Sequence, residues 1–488
     1  MNYALKFEEF KQLFYPHHIA FVGASENSRL GSMLYLKAFK TSKWKDTFYP
    51  VNPKYDKIMD WKCYSSVLDI PVSVDTCYIS VKTPIIPDIV KECVEKEIDW
   101  VIIFSSGFSE TGTNEGRNLE KNLVKIIKGS ETRIIGPNCL GPFNAETGMA
   151  FSFSSPFGKP GEVSFMSQSG GHLSKLLDIG HKRDIRFNYG ISFGNQIDLN
   201  CVNFLRFYRK DPKTKVIAPY LESFGSASGH NFFLELRKTT KKKPVILWKG
   251  GYTKEGEKAA HSHTGALGTD MNLWNAMTKQ TGTILVRDNE EWWNTIKTFE
   301  LLYPNRLPEG RNVAIITPGG GSSVNFTDLL NSQGLKIPEL TKESRSKIEQ
   351  ILPRVNVNTK NPIDLGASGF IIDIYNSCIE VVANDPKIDI ILLPLWQQHI
   401  FRYVFKGMIE ILEKTEKPYA FAIPSIGEDV ELSNKFSKAK KLLHKKRVMY
   451  YLNLRDAALS LSHLCDYADF LKSHKYNIED LKKGKVEN

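Results

Sequence analysis

Three parts of the chain each open with a short apolar strand, a turn rich in small residues and a helical pattern. The three predicted strands are residues 19–22, 162–166 and 313–317. After each opening, further apolar strands bounded by turns alternate with helical segments, which predicts parallel sheets with helices on both faces. Such sheets bind ligands at the carboxyl ends of their strands. The other predicted strands are residues 47–51, 76–81, 100–104, 133–135, 216–221, 244–248, 388–393 and 419–423.

The length agrees with three such units, since 488 residues at about 150 residues per domain give roughly three domains. A loop rich in Ser, Gly and Pro at residues 143–161 and a Pro-containing linker at 302–311 separate the openings. We therefore predict an α/β chain of three doubly wound parallel-sheet domains. Their predicted bounds are 1–145, 146–303 and 311–470, followed by a polar tail at 471–488.

Composition excludes several classes of protein. Hydrophobic residues make up 41% and charged residues 24%, as in ordinary globular proteins rather than disordered chains. The seven cysteines are isolated and form no C-x-x-C motif, which argues against a disulfide framework or a structural zinc site. The N-terminal residues carry charges unlike those of a signal peptide, and the apolar runs are too short to span a bilayer. We expect a cytoplasmic protein that does not enter a membrane.

The net charge of +11 raises nucleic-acid binding as an alternative. A nucleic-acid-binding protein is expected to gather basic and aromatic residues on one face. Here the densest basic stretches, residues 241–243 and 438–446, lie near predicted turns among scattered acidic residues. We therefore expect no nucleic-acid partner.

A candidate anion site follows the first predicted strand, at Gly23-Ala24-Ser25. Glycine permits a tight turn and close approach of the backbone, and the next helix offers free N–H groups to a phosphate. Lys54 and Lys82 follow the next two strands and are expected over the same sheet edge, which favours a nucleotide or coenzyme A. The alternative is an ordinary strand-to-helix turn with solvated lysines.

A second candidate anion site opens the middle unit, at Ser167-Gln168-Ser169-Gly170-Gly171. Two hydroxyl groups and several unpaired N–H groups at the positive end of a helix can hold a phosphate. The alternative is an ordinary N-cap, in which Ser167 or Ser169 satisfies the first turn of the helix.

A pair of histidines, His261 and His263, lies in a stretch of small residues between glycines, which predicts a loop. A neutral imidazole is a competent nucleophile toward phosphoryl groups near pH 7. Glu222 follows a predicted strand and could accept a hydrogen bond from one imidazole nitrogen, which leaves the other free to attack. Metal binding by the His-x-His pair and inert loop histidines remain the alternatives.

Taken together, these motifs resemble the α subunit of the NDP-forming acyl-CoA synthetases, specifically the ADP-forming acetate–CoA ligases, which are related to the succinyl-CoA synthetase α subunit. The resemblance covers about residues 10–460. The matching stretches, in order, are Val22-Gly23-Ala24-Ser25, Tyr49-Pro50-Val51-Asn52-Pro53-Lys54, Ser106-Gly107-Phe108-Ser109-Glu110, Gly136-Pro137-Asn138-Cys139-Leu140-Gly141, Ser167-Gln168-Ser169-Gly170, Ser262-His263-Thr264-Gly265 and Asn361-Pro362-Ile363-Asp364-Leu365.

The resemblance implies a Rossmann-like CoA-binding domain followed by two flavodoxin-like ligase domains. His263 would be the phosphorylated histidine, Glu222 would stabilise it, and His261 would be a bystander. The phosphoryl group would be held by Ser167, Ser169, Gly170 and Gly171. The implied CoA-binding residues are Gly23, Ala24, Ser25, Asn52, Lys54, Lys82, Ser106, Gly107 and Asn138.

The resemblance also implies a partner, because in this family an ATP-grasp domain binds Mg²⁺ with ADP or ATP. We find no room for that domain in the three units and expect a separate β subunit, in an α2β2 assembly. The alternative is a CoA-binding regulatory protein without catalysis, although such a protein would need neither His263 nor Glu222. Gly171, His172 and Gln196 depart from the family's usual residues, which bears on acyl specificity.

Overall fold

The structure, a computed structural model, describes residues 6–27, 31–150, 158–258, 270–395, 399, 402–423, 430–476 and 478–482. The chain divides into two compact units, Met1–Arg287 and Asp288–Asn488. Among the described residues, the first unit holds two large sheets and one two-stranded sheet, and the second unit holds one large sheet. Within the described ranges, no helix is long and apolar enough to cross a membrane.

The first sheet has five parallel strands in the order β2-β1-β5-β6-β7. Aliphatic residues such as Ile79 and Val101 pack on one face with Val90 of α3, and Phe21, Tyr35 and other aromatic residues pack on the opposite face. A separate antiparallel hairpin joins β3 to β4. The strands are β1 (Ile19–Val22), β2 (Phe48–Val51), β3 (Lys57–Ile58), β4 (Trp61–Lys62), β5 (Thr76–Ile79), β6 (Trp100–Ile103) and β7 (Arg133–Ile135), and the helices are α1 (Phe7–Gln12), α2 (Ser32–Lys40), α3 (Ile86–Glu95) and α4 (Asn114–Ile126).

The second sheet has six strands in the order β13-β12-β11-β9-β10-β8, all parallel except β8, which pairs antiparallel with β10. Helix α5 begins directly after β9, with Ser169 as its N-cap. The strands are β8 (Gly141–Asn144), β9 (Val163–Ser167), β10 (Phe187–Ser192), β11 (Val216–Leu221), β12 (Ile246–Lys249) and β13 (Ile284–Val286), and the helices are α5 (Gly170–Lys182), α6 (Cys201–Lys210), α7 (Gly229–Thr239) and α8 (Met271–Thr281).

The third sheet, in the second unit, has five parallel strands in the order β15-β14-β16-β17-β18. Ala314 and Ile316 face one hydrophobic core and Val313 and Ile315 face another, so β14 is buried on both faces. The strands are β14 (Val313–Thr317), β15 (Ile363–Asp364), β16 (Ile390–Pro394), β17 (Tyr419–Ala422) and β18 (Met449–Tyr451), and the helices are α9 (Asn289–Leu302), α10 (Gly320–Ser332), α11 (Lys342–Ile351), α12 (Ile372–Ala383), α13 (Arg402–Leu412), α14 (Val430–Lys446), α15 (Leu454–Ser473) and α16 (Ile478–Lys482).

All three sheets share one topology. If the parallel strands of each sheet are counted along the chain, with the β3–β4 hairpin left out, their spatial order is 2-1-3-4-5. This is the flavodoxin-like doubly wound order. In this order the ligand crevice lies where the strand order reverses, between the first and third strands. The predicted α/β class with parallel sheets is confirmed.

The prediction was wrong in some details. The predicted 143–161 loop begins inside β8, because Phe143 and Asn144 pair with β10. The antiparallel β8 also departs from the wholly parallel sheet that was expected. Strands β10, β13, β15 and β18 and the β3–β4 hairpin were not predicted. The predicted polar tail holds the end of α15 and the short helix α16.

Candidate functional site

A cavity of about 700 Å³ lies within the first unit, between the carboxyl edge of the first sheet and the start of α5. The first sheet contributes the turns after β5, β6 and β7, and the second sheet contributes the turn after β9 and the first residues of α5. The lining residues are Ser80, Val81, Lys82, Thr83, Phe104, Ser105, Ser106, Asn138, Cys139, Leu140, Gln168, Ser169, Gly170, Gly171 and Ser174. The cavity therefore includes Lys82 of the first predicted anion site and Ser169, Gly170 and Gly171 of the second.

The turn after β1 lies beside this cavity and needs glycine at position 23. Gly23 has φ +89°, and a Cβ there would lie 2.2 Å from the carbonyl oxygen of Ser80. A side chain would therefore collide with the turn after β5 in addition to straining the backbone. The Asn52 amide donates to the Ala24 carbonyl over 2.8 Å and fixes the other side of the turn. This turn therefore packs tightly against the turn after β5, at the switch point of the sheet.

The cavity lining does not include six of the residues predicted at this edge: Gly23, Ala24, Ser25, Asn52, Lys54 and Gly107. Ser25 accepts a hydrogen bond from the backbone of Asn27 through its hydroxyl group, over 3.3 Å. The backbone N–H of Lys54 donates to the Asn52 side chain over 3.1 Å, and Lys54 is exposed. Lys82, by contrast, belongs to the cavity lining. The two lysines that the sequence grouped together therefore occupy different surroundings.

The turns after β5 and β6 are held together by hydroxyl groups. Ser105 accepts from the N–H of Val81 over 3.0 Å and donates to the carbonyl of Val81 over 2.6 Å. Thr83 donates to the carbonyl of Ser106 over 2.7 Å. Gly107, at φ +108°, leaves space for Thr83, because a Cβ there would lie 2.7 Å from the threonine hydroxyl. These bonds fix the part of the cavity wall that carries Lys82 and Ser106.

Asn138 continues the wall after β7. Its backbone N–H donates to the carbonyl of Ser105 over 3.0 Å, and its φ of +59° lies in the left-handed region. Asparagine tolerates this region better than most residues do. Asn138, one of the implied CoA-binding residues, therefore lines the cavity through an unusual backbone geometry.

The start of α5 lines the side of the cavity opposite the first sheet. Ser169 is the N-cap and accepts from the backbone N–H of His172 over 3.4 Å, so the ordinary capping role does exist here. The Ser167 hydroxyl donates to the carbonyl of Ser169 over 2.6 Å and does not line the cavity. A Cβ on Gly170 would lie 2.9 Å from Leu140, so the helix packs closely against the segment that joins β7 to β8. Residues Ser169 to Gly171 present a helix N-terminus to the cavity.

Glu222 follows β11, which pairs with β9, the strand that leads into α5. Tyr220 donates its hydroxyl proton to the Glu222 carboxylate over 3.0 Å. Burial, and then the charge of Glu222, raise the pKa of Tyr220 above its usual range. Both effects keep the phenol protonated, so it serves as a hydrogen-bond donor that holds the carboxylate.

The ring of Tyr220 also packs against two other aromatic rings. The ring of His172, in the first turn of α5, lies 4.3 Å from that of Tyr220 and 4.7 Å from that of Trp248, between ring centres. His172 is one of the positions where the sequence departs from its family. Its packing connects the cavity helix to the strand that carries Glu222.

His261 and His263 lie at 259–269, outside the described residues. The described residues on either side are Lys258 and Asp270, the latter being the N-cap of α8. No group of three or more His, Cys, Asp or Glu side chains that could hold a metal ion occurs in the described part of the chain. The role of His263 therefore remains a prediction from sequence.

Sequence reasoning did not identify several lining residues as part of the site. Ser80, Ser105 and Gln168 lie next to or within motifs that were noticed, but no role was assigned to them. Leu140 follows Asn138 in one of the quoted family stretches. Their contribution depends on how two sheets approach each other, which no local pattern encodes.

Comparisons with known proteins agree with this geometry. A CoA-binding domain model matches residues 17–144, and a model of the succinyl-CoA ligase-like flavodoxin domain matches residues 160–299. The chain is 33% identical over 470 residues to acetate–CoA ligase (ADP-forming) II of Archaeoglobus fulgidus, covering 94% of this chain and 67% of that protein. It is 35% identical over 382 residues to the α subunit of acetate–CoA ligase (ADP-forming) II of Pyrococcus furiosus, covering 78% and 80%.

A solved structure is similar over almost the whole chain. It is the dinucleotide-forming acetyl-coenzyme A synthetase 1 of Ca. Korarchaeum cryptofilum in complex with phosphate and ADP. The TM-score is 0.82 at 27% sequence identity, covering 98% of this chain and 99% of that one. The first three curated relatives are longer than this chain, which spans 67%, 54% and 49% of their lengths.

The doubly wound sheets define an α/β protein. The two matching models identify a CoA-binding domain and a succinyl-CoA ligase-like flavodoxin domain in it. The identity to these relatives shows that the chain belongs to the ADP-forming acetate–CoA ligase family of acyl-CoA synthetases.

Proposed function

We propose that this chain is the CoA-binding and phosphohistidine-bearing component of an ADP-forming acyl-CoA synthetase. It interconverts acyl-CoA and phosphate with acyl phosphate and CoA, and then transfers the phosphoryl group from acyl phosphate to His263. The single observation that carries the proposal is the cavity shared by the edge of the first sheet and the N-terminus of α5. One cavity of this kind can hold the thioester end of CoA and a phosphate ion side by side.

The residues around the cavity suit these two ligands. Lys82 and Asn138 on the first sheet suit the phosphates of CoA, while Gly23, Ala24, Ser25, Asn52, Lys54, Ser106 and Gly107 would form the surrounding edge. The N–H groups at Gly170 and Gly171 suit inorganic phosphate and, later, the transferred phosphoryl group. Ser167 and Ser169 shape that helix start through their own hydrogen bonds.

The first step is acyl transfer. An oxygen of HPO₄²⁻ attacks the thioester carbonyl, the C–S bond breaks, and the phosphate proton passes to CoA, which leaves as the thiol. In the second step, the unprotonated nitrogen of His263 attacks phosphorus, the bond from phosphorus to the acyl oxygen breaks, and the carboxylate leaves. Glu222 accepts the N–H of the other imidazole nitrogen, so the charge gained by the ring is balanced.

The phosphoryl group must then reach a nucleotide. We propose that it passes to ADP with Mg²⁺ on an ATP-grasp β subunit, in an α2β2 assembly. One observation supports a separate partner: a relative that this chain matches over 80% of that relative's length is named a subunit alpha. A structural neighbour described with phosphate and ADP supports the use of these two ligands.

The half-reaction on this chain can be tested without a partner. The purified chain is incubated with [³²P]phosphate and, in turn, with acetyl-, propionyl-, branched-chain and aryl acyl-CoA. We expect at least one thioester to give protein-bound label and one free CoA thiol for each label bound. Absence of label and of thiol release with every thioester would contradict the proposal.

A further inference from the structure

Asn195 lies in the loop between β10 and α6 and takes no part in the reaction steps described above. Its side-chain amide donates one hydrogen bond to Glu110, in the turn after β6, over 2.6 Å. It donates a second to Glu120, in α4, over 2.7 Å. Glu120 also accepts the Ser109 hydroxyl over 2.7 Å. Two carboxylates this close repel each other, so the shared amide holds together two groups that would otherwise separate.

Glu110 connects Asn195 to the wall of the cavity. Its carboxylate also accepts the backbone N–H groups of Gly107 and Phe108, over 2.6 Å and 3.2 Å. Gly107 directly follows Ser106, which lines the cavity. The position of this turn therefore depends on where the Glu110 carboxylate is held.

The backbone of the same loop fixes a second part of the wall. The N–H of Asn195 donates to the carbonyl of Pro137 over 3.0 Å. Gly194, at φ +50°, allows this approach, because a Cβ there would lie 2.1 Å from the same carbonyl oxygen. Pro137 precedes Asn138, which lines the cavity. Asn195 thus contacts the segments of the first sheet that follow β6 and β7.

The loop is also bonded to the phosphate side of the cavity. Phe193 donates its N–H to the carbonyl of Ser167 over 3.1 Å. Ser167 is the last residue of β9, and Ser169, two residues later, is the N-cap of α5. Since Phe193 and Asn195 are two residues apart, a short path of hydrogen bonds joins the start of α5 to the turn that carries Ser106.

We propose that Asn195 is a positioning residue for the acyl-transfer step. It holds the CoA-binding turns of the first sheet at a fixed separation from the phosphate-binding start of α5, so that the phosphate oxygen meets the thioester carbonyl. This inference rests on the proposed function of the cavity. Asn195 is not part of the cavity lining; it acts through Glu110 and through the backbone of Pro137.

The test isolates acyl transfer from the later steps. Phosphate-dependent exchange of isotope from [³H]CoA into unlabelled acyl-CoA requires acyl phosphate to form and to react back, and it needs neither His263 nor ADP. Asn195→Ala removes both side-chain hydrogen bonds. We expect the exchange rate to fall by roughly 100-fold, the cost of a misplacement of about 1 Å at a reacting centre. The dissociation constant for CoA alone, measured by calorimetry, should change little, because the residues that line the cavity are retained.

Asn200 provides a matched control in the same loop. It is the N-cap of α6, accepts the N–H of Val202 over 3.1 Å and donates to the Ser226 hydroxyl over 3.1 Å. Both of these partners belong to the second sheet's domain. Asn200→Ala should lower the urea midpoint through loss of the cap, without slowing exchange in the folded protein.

Asn195→Asp gives a readout that structural support alone would not move. It replaces the shared donor with a third carboxylate beside Glu110 and Glu120, the titratable groups in hydrogen-bond contact with this side chain among the described residues. At about pH 8 the three charges repel one another, whereas at about pH 5.5 a proton taken up by the group restores a donor. The exchange rate relative to wild type should therefore recover as the pH falls.

A second substitution tests the path through Glu110. Glu110→Gln in the Asn195→Asp background should recover part of the exchange rate at about pH 8, because the glutamine amide can donate to the new carboxylate. Glu110→Gln alone serves as the reference for the double variant. A double variant as slow as Asn195→Asp would contradict the proposed path.

Other outcomes would also overturn the proposal. They are a wild-type exchange rate in Asn195→Ala, a loss of CoA affinity as large as the loss of rate, and a relative rate in Asn195→Asp that is the same at both pH values. Failure of both single variants to fold, judged by urea unfolding, would overturn it too. Absence of phosphate-dependent exchange in the wild-type protein would instead reject the proposed function itself.

Discussion

The side-chain carbonyl of Gln168 accepts a hydrogen bond from the backbone N–H of Glu222 over 2.9 Å, and the same oxygen accepts the N–H of Ser223 over 2.9 Å. The Gln168 amide group completes the contact by donating to the Ser223 hydroxyl over 2.8 Å. Gln168 lines the cavity beside Ser169, and Glu222 follows the adjacent strand. One buried side chain therefore holds the backbone at Glu222 against the turn that precedes α5.

Gln168→Ala should slow phosphohistidine formation and destabilise the fold. A buried N–H left without its acceptor costs about 1–3 kcal/mol, so the free energy of unfolding in urea should fall by about that amount. The labelling rate should fall further than stability explains, because Glu222 is no longer fixed. Gln350→Ala, at an exposed position on α11, is the control, and equal rates for the two variants would contradict this role.

Gly23→Ala should abolish CoA binding and destabilise the first sheet. A non-glycine residue in the left-handed region costs about 1–2 kcal/mol, and the overlap with the Ser80 carbonyl adds about 1–3 kcal/mol of overpacking. Gly129→Ala separates the two effects, since Gly129 has φ +92° but open space around its Cβ position. Calorimetric CoA titration and urea unfolding of both variants provide the measurement. Similar losses at the two positions would show that the Ser80 contact is unimportant.

Lys82→Met should weaken CoA binding by roughly 10-fold, which corresponds to one charge-assisted hydrogen bond. The dissociation constant of this variant should also depend less on salt, because a cation near the phosphates is gone. Lys91→Met is the control, since Lys91 is exposed and pairs with Asp88 over 2.8 Å. Unchanged affinity and salt dependence in Lys82→Met would place the CoA phosphates elsewhere.

The free energy of unfolding should rise with pH above about 8 because of the titration of Lys243. Burial lowers the pKa of this lysine to about 8, partly opposed by Asp211. Between that value and its usual 10.5, the unfolded chain binds a proton that the folded chain does not, so the free energy of unfolding rises with pH. Below pH 8 both states carry the charge and no further change is expected. The free energy of unfolding in urea is measured for wild type and Lys243→Met at pH 7.5 and at pH 10. From the lower to the higher pH, the value for the wild type should rise relative to that for Lys243→Met. A difference that is the same at both pH values would contradict the account.

The sequence predicted the parallel sheets well, because buried parallel strands form short runs of apolar residues bounded by turns. Strands β1, β7, β11 and β14 match their predicted bounds. Strand β8 was missed because Gly-Pro at its start is typical of a loop; its place at the sheet edge beside β10 accommodates that proline.

The candidate site was predictable only in part. Glycine turns at strand ends indicated anion binding, and Lys82, Ser106, Asn138 and Ser169 do line the cavity. The contact between Gly170 and Leu140 was not predictable, since it brings together residues far apart in the sequence through packing rather than through a local motif. The buried position of Lys249 was also missed, because a lysine at the end of a strand usually indicates solvent exposure.

The central claim is that His263 carries the phosphoryl group. The most direct measurement is peptide mapping by mass spectrometry of chain labelled with phosphate and acyl-CoA, with His261→Ala and His263→Ala compared with the wild type. We predict a base-stable, acid-labile phosphoryl group on His263 in the wild-type and His261→Ala proteins, and none in His263→Ala. Phosphorylation that persists in His263→Ala, or that maps to His261, would contradict the account.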